Sequence, residues 1–311
     1  MQCPVCQSAQ TGSLHRDVGD FEHGLPLRVK FSQCANCQLV FQDPLPDAAQ
    51  LDASYPTDYR PHVSTGAGLK PQGLLGHLKE IQAAALLRKY GAWIGPARGA
   101  AVELGCGSGH FLNALARAGF NPVLGVDREP ALGGKFEGSG IRFKALNIEA
   151  AFAADLRADA AGGGQGFDFI FMNYVFEHLL HPLQALRQCR SLLKPGGQLF
   201  ILTPNAASWG HRLFGRYWSG LHAPRHPMIY TAPALQHLAK TAGFASLETR
   251  QVLDPASWAF SFQNLVTAGN SQAAAGGTRW YSLLLLPLWG VPALIERMFG
   301  RSSSIVARFG A

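Results

Sequence analysis

The stretch "VELGCGSGHFLNAL", residues 102–115, decides the fold. An apolar run ends in three alternating glycines, Gly105, Gly107 and Gly109, and apolar residues at helical spacing follow. Strand, glycine turn, helix is the arrangement that sets backbone N–H groups beside a nucleotide. A dinucleotide turn needs a third glycine three places after its second, so that helix and strand pack closely. That place holds His110, so the turn departs from the dinucleotide pattern.

Two carboxylates flank the turn. Glu103 stands at the end of the apolar run, where a carboxylate is costly as plain core and useful beside a ligand that carries positive charge or donors. Asp127 ends the next apolar run, in "VLGVDREP". An acidic residue about 20 positions after the glycine turn suits ribose, because its two oxygens can accept from a vicinal diol. Asn147, in "FKALNIEA", has two readings. Its amide suits an adenine edge, and it equally suits the capping of a loop.

Outward from this turn the pattern alternates. Strands are expected at 100–104, 122–126, 141–145, 167–172 and 197–203, and helices near 109–118, 129–137, 150–158 and 181–193. A further pair follows at 232–244 and 246–253, and the last strand is expected at 303–309. Such alternation predicts an α/β fold with a mostly parallel sheet covered on both faces. The spacing over 73–94 predicts a helix packed against this unit.

Four segments occur in order: "VELGCGSGHFL", "VDREP", "FDFIFMNYVFEHLLHP" and "LLKPGGQLFILTPN". Together they resemble the successive motifs of class I S-adenosylmethionine-dependent methyltransferases, over roughly 75–253. The resemblance implies a Rossmann-like sheet of seven strands, with the last one, 303–309, antiparallel. It implies S-adenosylmethionine as cofactor. Gly105, Gly107 and Gly109, with Cys106 among them, would line its methionine and ribose end. Glu103 would take part in holding the amino-acid portion. Asp127, followed by Arg128, would bind the ribose diol, and Asn147 and Ile148 would flank the adenine. Asn173 and Tyr174 would face the sulfonium. This cofactor has no phosphate, which suits a pocket lined by carboxylates.

Residues 1–42 read as a separate unit. Cys3 and Cys6 form one CxxC, and Cys34 and Cys37 a second. Two such knuckles supply four thiolates to a tetrahedral structural zinc ion, with no open coordination position. Residues 43–72 are rich in Pro, Gly, Asp and Ser and read as a linker. The methyltransferase unit would then span 73–311, with cap segments at 205–230 and 254–302.

The acceptor side is less determined. His178, in "EHLLHP", and His222 and His226, in "LHAPRHP", are candidate general bases, since histidine titrates near neutral pH. Arg225 is suited to an anionic acceptor. Tyr217 and Trp218 are candidate substrate contacts within "NAASWGHRLFGRYWSGLHAPRH". Each has a bland counterpart: His178 as architecture, the 222–226 segment as a Pro-ordered loop, the aromatics as a packed cap. The segment "LLLLPLWGVPALI", 283–295, is too short and Pro-rich to span a membrane. Burial as a hairpin lining an apolar pocket is the expectation. An interfacial anchor flanked by Arg279, Arg297 and Arg301 is the alternative.

The chain has 311 residues, 47% of them hydrophobic, and a formal net charge of +7. Its basic residues are scattered rather than run together, so a small-molecule acceptor (sugar, lipid-linked or natural-product type) is expected and nucleic acid is not. An rRNA or tRNA base methyltransferase with a zinc module is the alternative enzyme, and a non-catalytic S-adenosylmethionine binder the alternative class. The N-terminal "MQCPVCQSAQ" shows no leader pattern, which makes a cytoplasmic location, with reduced cysteines, the expectation.

Overall fold

In the computed structural model, residues 1–55, 73–160, 166–268 and 286–311 are described, with backbone alone at 73–75 and 286. The N-terminal segment forms strands β1 (Thr11–Gly19), β2 (Arg28–Cys34) and β3 (Val40–Gln42), joined antiparallel. The fourth strand of this sheet, β9, is Met228–Ile229, paired to β3 through Phe41 and Val40. The first 42 residues therefore share their sheet with the second half of the chain. Within the segment expected as linker, Ala48–Ala53 is a helix, α1. Asp47 and Gln50 close a capping box on it, satisfying two backbone donors that a short helix otherwise leaves open. The expected linker residues 56–72 lie outside the described residues.

Helix α2 (Gly73–Ile94) leads into the main unit. Strand β4 (Ala101–Leu104) and helix α3 (His110–Arg117) flank the glycine turn. They are followed by β5 (Val123–Asp127), β6 (Arg142–Ala145), the short α4 (Ala153–Arg157) and β7 (Phe167–Asn173). Then come α5 (Pro182–Leu192), β8 (Leu193–Pro204), α6 (Trp209–Phe214), α7 (Ala232–Ala242) and β10 (Ser246–Val252). Helices α8 (Pro255–Thr267) and α9 (Leu286–Met298) precede β11 (Ser304–Gly310). The expected helix at 129–137 is instead a 3-10 turn, Pro130–Lys135, because the paired Gly133 and Gly134 carry the lowest helix propensity short of proline.

The central sheet has the order β10-β11-β8-β7-β4-β5-β6. Strand β11 runs antiparallel to β10 and β8, and the other pairs are parallel. This is the expected seven-stranded sheet with its last strand reversed. Alternation along the strands supplies two apolar faces. Val102, Leu104, Ile170, Met172 and Ile201 pack toward α5 and α7. Phe169, Phe171, Phe200 and Leu202 pack toward α2 and α3. On that second face Tyr90, Phe111, Phe171 and Phe200 stand with ring centroids 5.1 to 5.8 Å apart, a spacing at which aromatic pairs attract. The strand order reverses between β4 and β7, which opens a crevice at their carboxyl ends.

The expected burial of 283–295 is corrected. Residues 283–285 lie outside the described set. Over α9, Leu288 is 66% exposed, Val291 64% and Met298 75%. The buried face is short: Ala293 and Glu296. Both Glu296 oxygens are satisfied there, by Gly210 N–H, the Trp258 indole and Ser303. An inward charge, fully hydrogen-bonded, has turned the apolar stripe outward. None of α9 lines the crevice described next.

Candidate active site

A cleft of about 210 Å³ opens where β4, β5 and β7 end. Gly105, Gly107 and Asp127 form one wall, Asn147 and Ile148 the floor, and Tyr174, Val175 and His178 the far wall. The glycines are needed for conformation. Gly105, Gly107 and Gly109 have φ of +73°, +47° and +78°, the region that side chains with a Cβ avoid. A Cβ on Gly105 would also lie 2.4 Å from Val175 Cγ2.

Asp127 fixes the turn. Its Oδ2 accepts from Gly107 N–H at 2.8 Å and its Oδ1 from Glu129 N–H at 3.2 Å. Each oxygen keeps a lone pair for a ligand hydroxyl. Glu103 lies just behind, on β4, 3% exposed. Its Oε1 accepts from Asn173 Nδ2 at 2.9 Å, Tyr90 Oη donates to Asn173 Oδ1 at 2.5 Å, and Oε2 has no partner. Burial pushes the Glu103 carboxyl up to about 8, against the Asn173 hydrogen bond and with the nearby Asp127 charge. The folded chain thus holds a neutral Glu103 near pH 7. Its folded pKa lies above the unfolded one of about 4.5, so its contribution to stability is full below about pH 4.5 and lost as pH rises toward 8. The ligand-free protein is expected to lose thermal stability between about pH 5 and pH 8, with a shallower slope in Glu103→Gln. Equal slopes in calorimetric scans of the two proteins would refute this.

Asn147 is exposed at the floor. Its Oδ1 accepts from Glu149 N–H at 2.9 Å, the loop-capping arrangement. Cys106, Gly109, Glu103 and Asn173 stand behind the lining rather than in it. Tyr174 has φ +54° and its hydroxyl lies 3.1 Å from Ser304 Oγ, which holds its ring across the β11 edge.

The acceptor-side residues are distributed differently from the expectation. His178 lines the cleft, with Nδ1 2.9 Å from Tyr55 Oη and 3.0 Å from the Arg225 carbonyl. Burial pushes it down to about 3, and pushes His226 well below its ordinary value. Arg225 has no exposed surface. Its terminal nitrogens donate to both Asp20 oxygens, at 2.6 and 3.1 Å, and to the Ser54 carbonyl, and its Nε donates to His222. No guanidinium hydrogen faces the cleft, so the expected grip on an anionic acceptor is corrected to a joint between the N-terminal segment and α1. His222, at φ +32°, is held between Glu22 and Arg225. Trp218 is 1% exposed and stacks on His211 at 4.7 Å, and Tyr217 packs on Phe21 at 5.3 Å. Both belong to the apolar joint with the N-terminal segment, because β9 docks the chain there.

Sequence reasoning missed the part contributed by α1. Leu51, Asp52 and Tyr55 close the open side of the cleft. Arg128 bonds Asp52 at 2.7 Å and lies over the Tyr55 ring at 4.8 Å. The capping-box pair Asp47 and Gln50 was the available signal.

The four cysteines converge. Cys3 and Cys37 Sγ are 3.6 Å apart, Cys6 and Cys34 Sγ 3.5 Å, and all four lie within 4.8 Å of one another. The two knuckles repeat the same backbone. Gln7 and Gln38 each take positive φ, +60° and +62°, and each donates its N–H to the first cysteine carbonyl.

A glycine turn with paired carboxylates at the switch point of this sheet defines a nucleoside-binding α/β enzyme. A family model described as a methyltransferase domain matches residues 76–249, more than half of the chain, and the protein belongs to that family of S-adenosylmethionine-dependent methyltransferases. The ubiquinone biosynthesis O-methyltransferase of Cereibacter sphaeroides (strain KD131 / KCTC 12085) is 30% identical over 186 residues, 54% of this chain and 71% of that one. The protein of the same description from Xanthomonas axonopodis pv. citri (strain 306) is 33% identical over 116 residues, 35% of this chain and 45% of that one. An S-adenosylmethionine-dependent methyltransferase structure from Archaeoglobus fulgidus superposes with a TM-score of 0.50 at 16% identity, covering 75% of this chain and 94% of that one. That last likeness concerns the fold.

Proposed function

We propose that this enzyme methylates a hydroxyl of a lipid-linked small molecule, with S-adenosylmethionine in the cleft and a structural zinc ion at Cys3, Cys6, Cys34 and Cys37. The observation that carries the cofactor part is the glycine turn closed by Asp127, which lines the cleft and keeps a lone pair on each carboxylate oxygen. A ligand with a ribose diol and no phosphate fits it. Bound there, S-adenosylmethionine supplies a methyl group on a good leaving group, so positioning and exclusion of water carry much of the rate. Asp127 and the glycine backbone hold and orient the nucleoside. Asn147 and Ile148 border its base. Tyr174, Val175 and His178 form the wall on the acceptor side, and Leu51 of α1 and Tyr55 just past its end exclude water.

The lipid-linked class is supported by topology. Helices α8 and α9 join the end of β10 to the start of β11, which pairs with the carboxyl end of β8. The exposed stripe Leu288, Val291 and Met298 therefore lies at the same edge of the sheet as the cleft. That stripe suits peripheral contact with a membrane surface. Among the described residues no helix is long and apolar enough to cross a membrane. The relatives are named O-methyltransferases, which supports oxygen as acceptor atom. For zinc, Zn–S bonds of about 2.3 Å give tetrahedral edges of about 3.8 Å, close to the observed sulfur pairs.

The test uses S-adenosylmethionine labelled on its methyl group. Calorimetry should show binding that falls about a hundredfold in Asp127→Ala, since two charge-assisted hydrogen bonds are worth about 3 kcal/mol together after solvent exchange. Incubated with bacterial lipid extract, soluble metabolites or bulk tRNA, the enzyme should label the organic-extractable fraction. Label in metabolites or tRNA overturns the lipid-linked class, and absence of binding overturns the cofactor.

A further inference from the structure

We propose that Glu177, His178 and His226 form a binding site for one divalent first-row transition-metal cation on the inner wall of the cleft. The site deepens the methyltransferase reading, on which its use rests. Its ligands are argued independently of it.

Glu177 and His178 end the 3-10 turn that follows β7, and His226 comes from the segment gripped by the N-terminal sheet. One ligand atom from each lies within 4.8 Å of the others. The two imidazoles are oriented alike. His178 Nδ1 is 3.0 Å from the Arg225 carbonyl and His226 Nδ1 is 2.9 Å from the Gly220 carbonyl. A carbonyl can only accept, so each Nδ1 carries the proton and each Nε2 keeps its lone pair. Tyr55 Oη, 2.9 Å from His178 Nδ1, shares that proton as a second acceptor. Backbone carbonyls holding Nδ1–H while Nε2 points elsewhere is the outer-shell arrangement of metal-bound histidines.

The carboxylate gives a second, independent observation. Glu177 has no exposed surface, and its Oε2 accepts from Thr203 Oγ1 at 3.0 Å. Its Oε1 is buried with no hydrogen-bond partner. An unpaired buried carboxylate oxygen is expensive, and a cation between it and two imidazole lone pairs removes that cost. Two nitrogens and one oxygen suit Mn²⁺, Fe²⁺, Co²⁺ or Zn²⁺, and are too nitrogen-rich for Ca²⁺ or Mg²⁺. Three protein ligands leave positions for water or an acceptor oxygen. His178 also lines the cleft, so those positions are reachable from it. A hydroxyl bound to the ion would lose its proton more readily, with no side-chain base of ordinary pKa required.

Mn²⁺ separates this site from the four cysteines, because thiolates favour softer ions. The full chain, without S-adenosylmethionine, is titrated with Mn²⁺ and free ion is read by electron paramagnetic resonance. One equivalent should bind with micromolar affinity. His226→Asn keeps an amide donor for the Gly220 carbonyl and lacks Nε2. It and Glu177→Gln should each weaken binding at least tenfold, while S-adenosylmethionine binding by calorimetry stays within threefold and shows the variants folded. If either variant fails to fold, His178→Asn and the wild-type stoichiometry carry the test. No bound Mn²⁺ at millimolar concentration, or unchanged affinity in the variants, overturns the metal site and leaves the cofactor reading intact.

Discussion

Arg225→Met will unfold at markedly lower urea concentration than the wild type and lose turnover, although the Arg225 side chain is not part of the cleft lining. The guanidinium is the hub of a buried joint. It holds Asp20 bidentately, the Ser54 carbonyl at the end of α1, and the His222 ring. Burial alone would raise the Asp20 carboxyl, and the Arg225 hydrogen bonds and charge more than reverse it. Methionine fills similar volume and leaves Asp20 charged, with only the backbone N–H groups of Glu22, His23 and Leu25 around it. Breaking a buried pair from one side costs about 3 to 5 kcal/mol. Removing both charges should restore part of that loss, so Asp20→Asn with Arg225→Met should be more stable than Arg225→Met alone. The kinetic effect has a separate route. Ser54 precedes Tyr55, and Tyr55 closes the cleft over His178, so a loosened joint opens the acceptor wall. Denaturation showing Arg225→Met within about 1 kcal/mol of wild type would sink the ion-pair account.

That joint also shows where the sequence stopped being informative. The glycine turn, Glu103 and Asp127 were legible because each is a local requirement. Positive φ needs glycine, and an acid at a strand end has few uses. The strands were legible as short apolar runs that alternate with helical spacing along the chain, and the count of seven came from the resemblance. Arg225 was not. Its type suits an acceptor anion and a buried carboxylate equally, and the carboxylate is 205 residues away. Trp218 misled likewise, since an aromatic beside basic residues does not declare which side is solvent. In α9 the inversion is complete: Glu296 faces in and Leu288 faces out, because a single acid with four hydrogen bonds outweighs the stripe. Helix α1 was legible in principle from Asp47 and Gln50, and the proline- and aspartate-rich composition around it hid the capping box.

On the proposed zinc site, Cys34→Ser is expected to release the ion and lower acceptor turnover by two orders of magnitude or more, while S-adenosylmethionine affinity stays within about threefold of wild type. Structural zinc contributes on the order of 10 kcal/mol to small cysteine modules, which sets the scale of the loss expected at the proposed site. Cys3, Cys34 and Cys37 are buried among Leu39, Phe41 and the α7 residues, and without an ion the two knuckles are joined only by weaker contacts such as Asn36 Nδ2 to Cys6 Sγ and Ala35 N–H to the Gln10 carbonyl. The consequence reaches the acceptor side through named contacts. Gln42 donates to the Pro224 and His226 carbonyls, Thr231 donates to the Cys37 carbonyl, and Val40 pairs with Ile229. These hold the segment whose Arg225 carbonyl orients His178. The nucleoside half of the cleft has no such dependence. Its turn is closed by Val126 and Asp127 from β5 alone. Metal content, acceptor kcat/KM and cofactor Kd measured on one preparation therefore separate the halves. A zinc-free variant with wild-type turnover would show the cysteines to be dispensable to the acceptor wall. Parallel loss of cofactor binding would show the two halves to unfold together, against the independence that the β5 hydrogen bonds require.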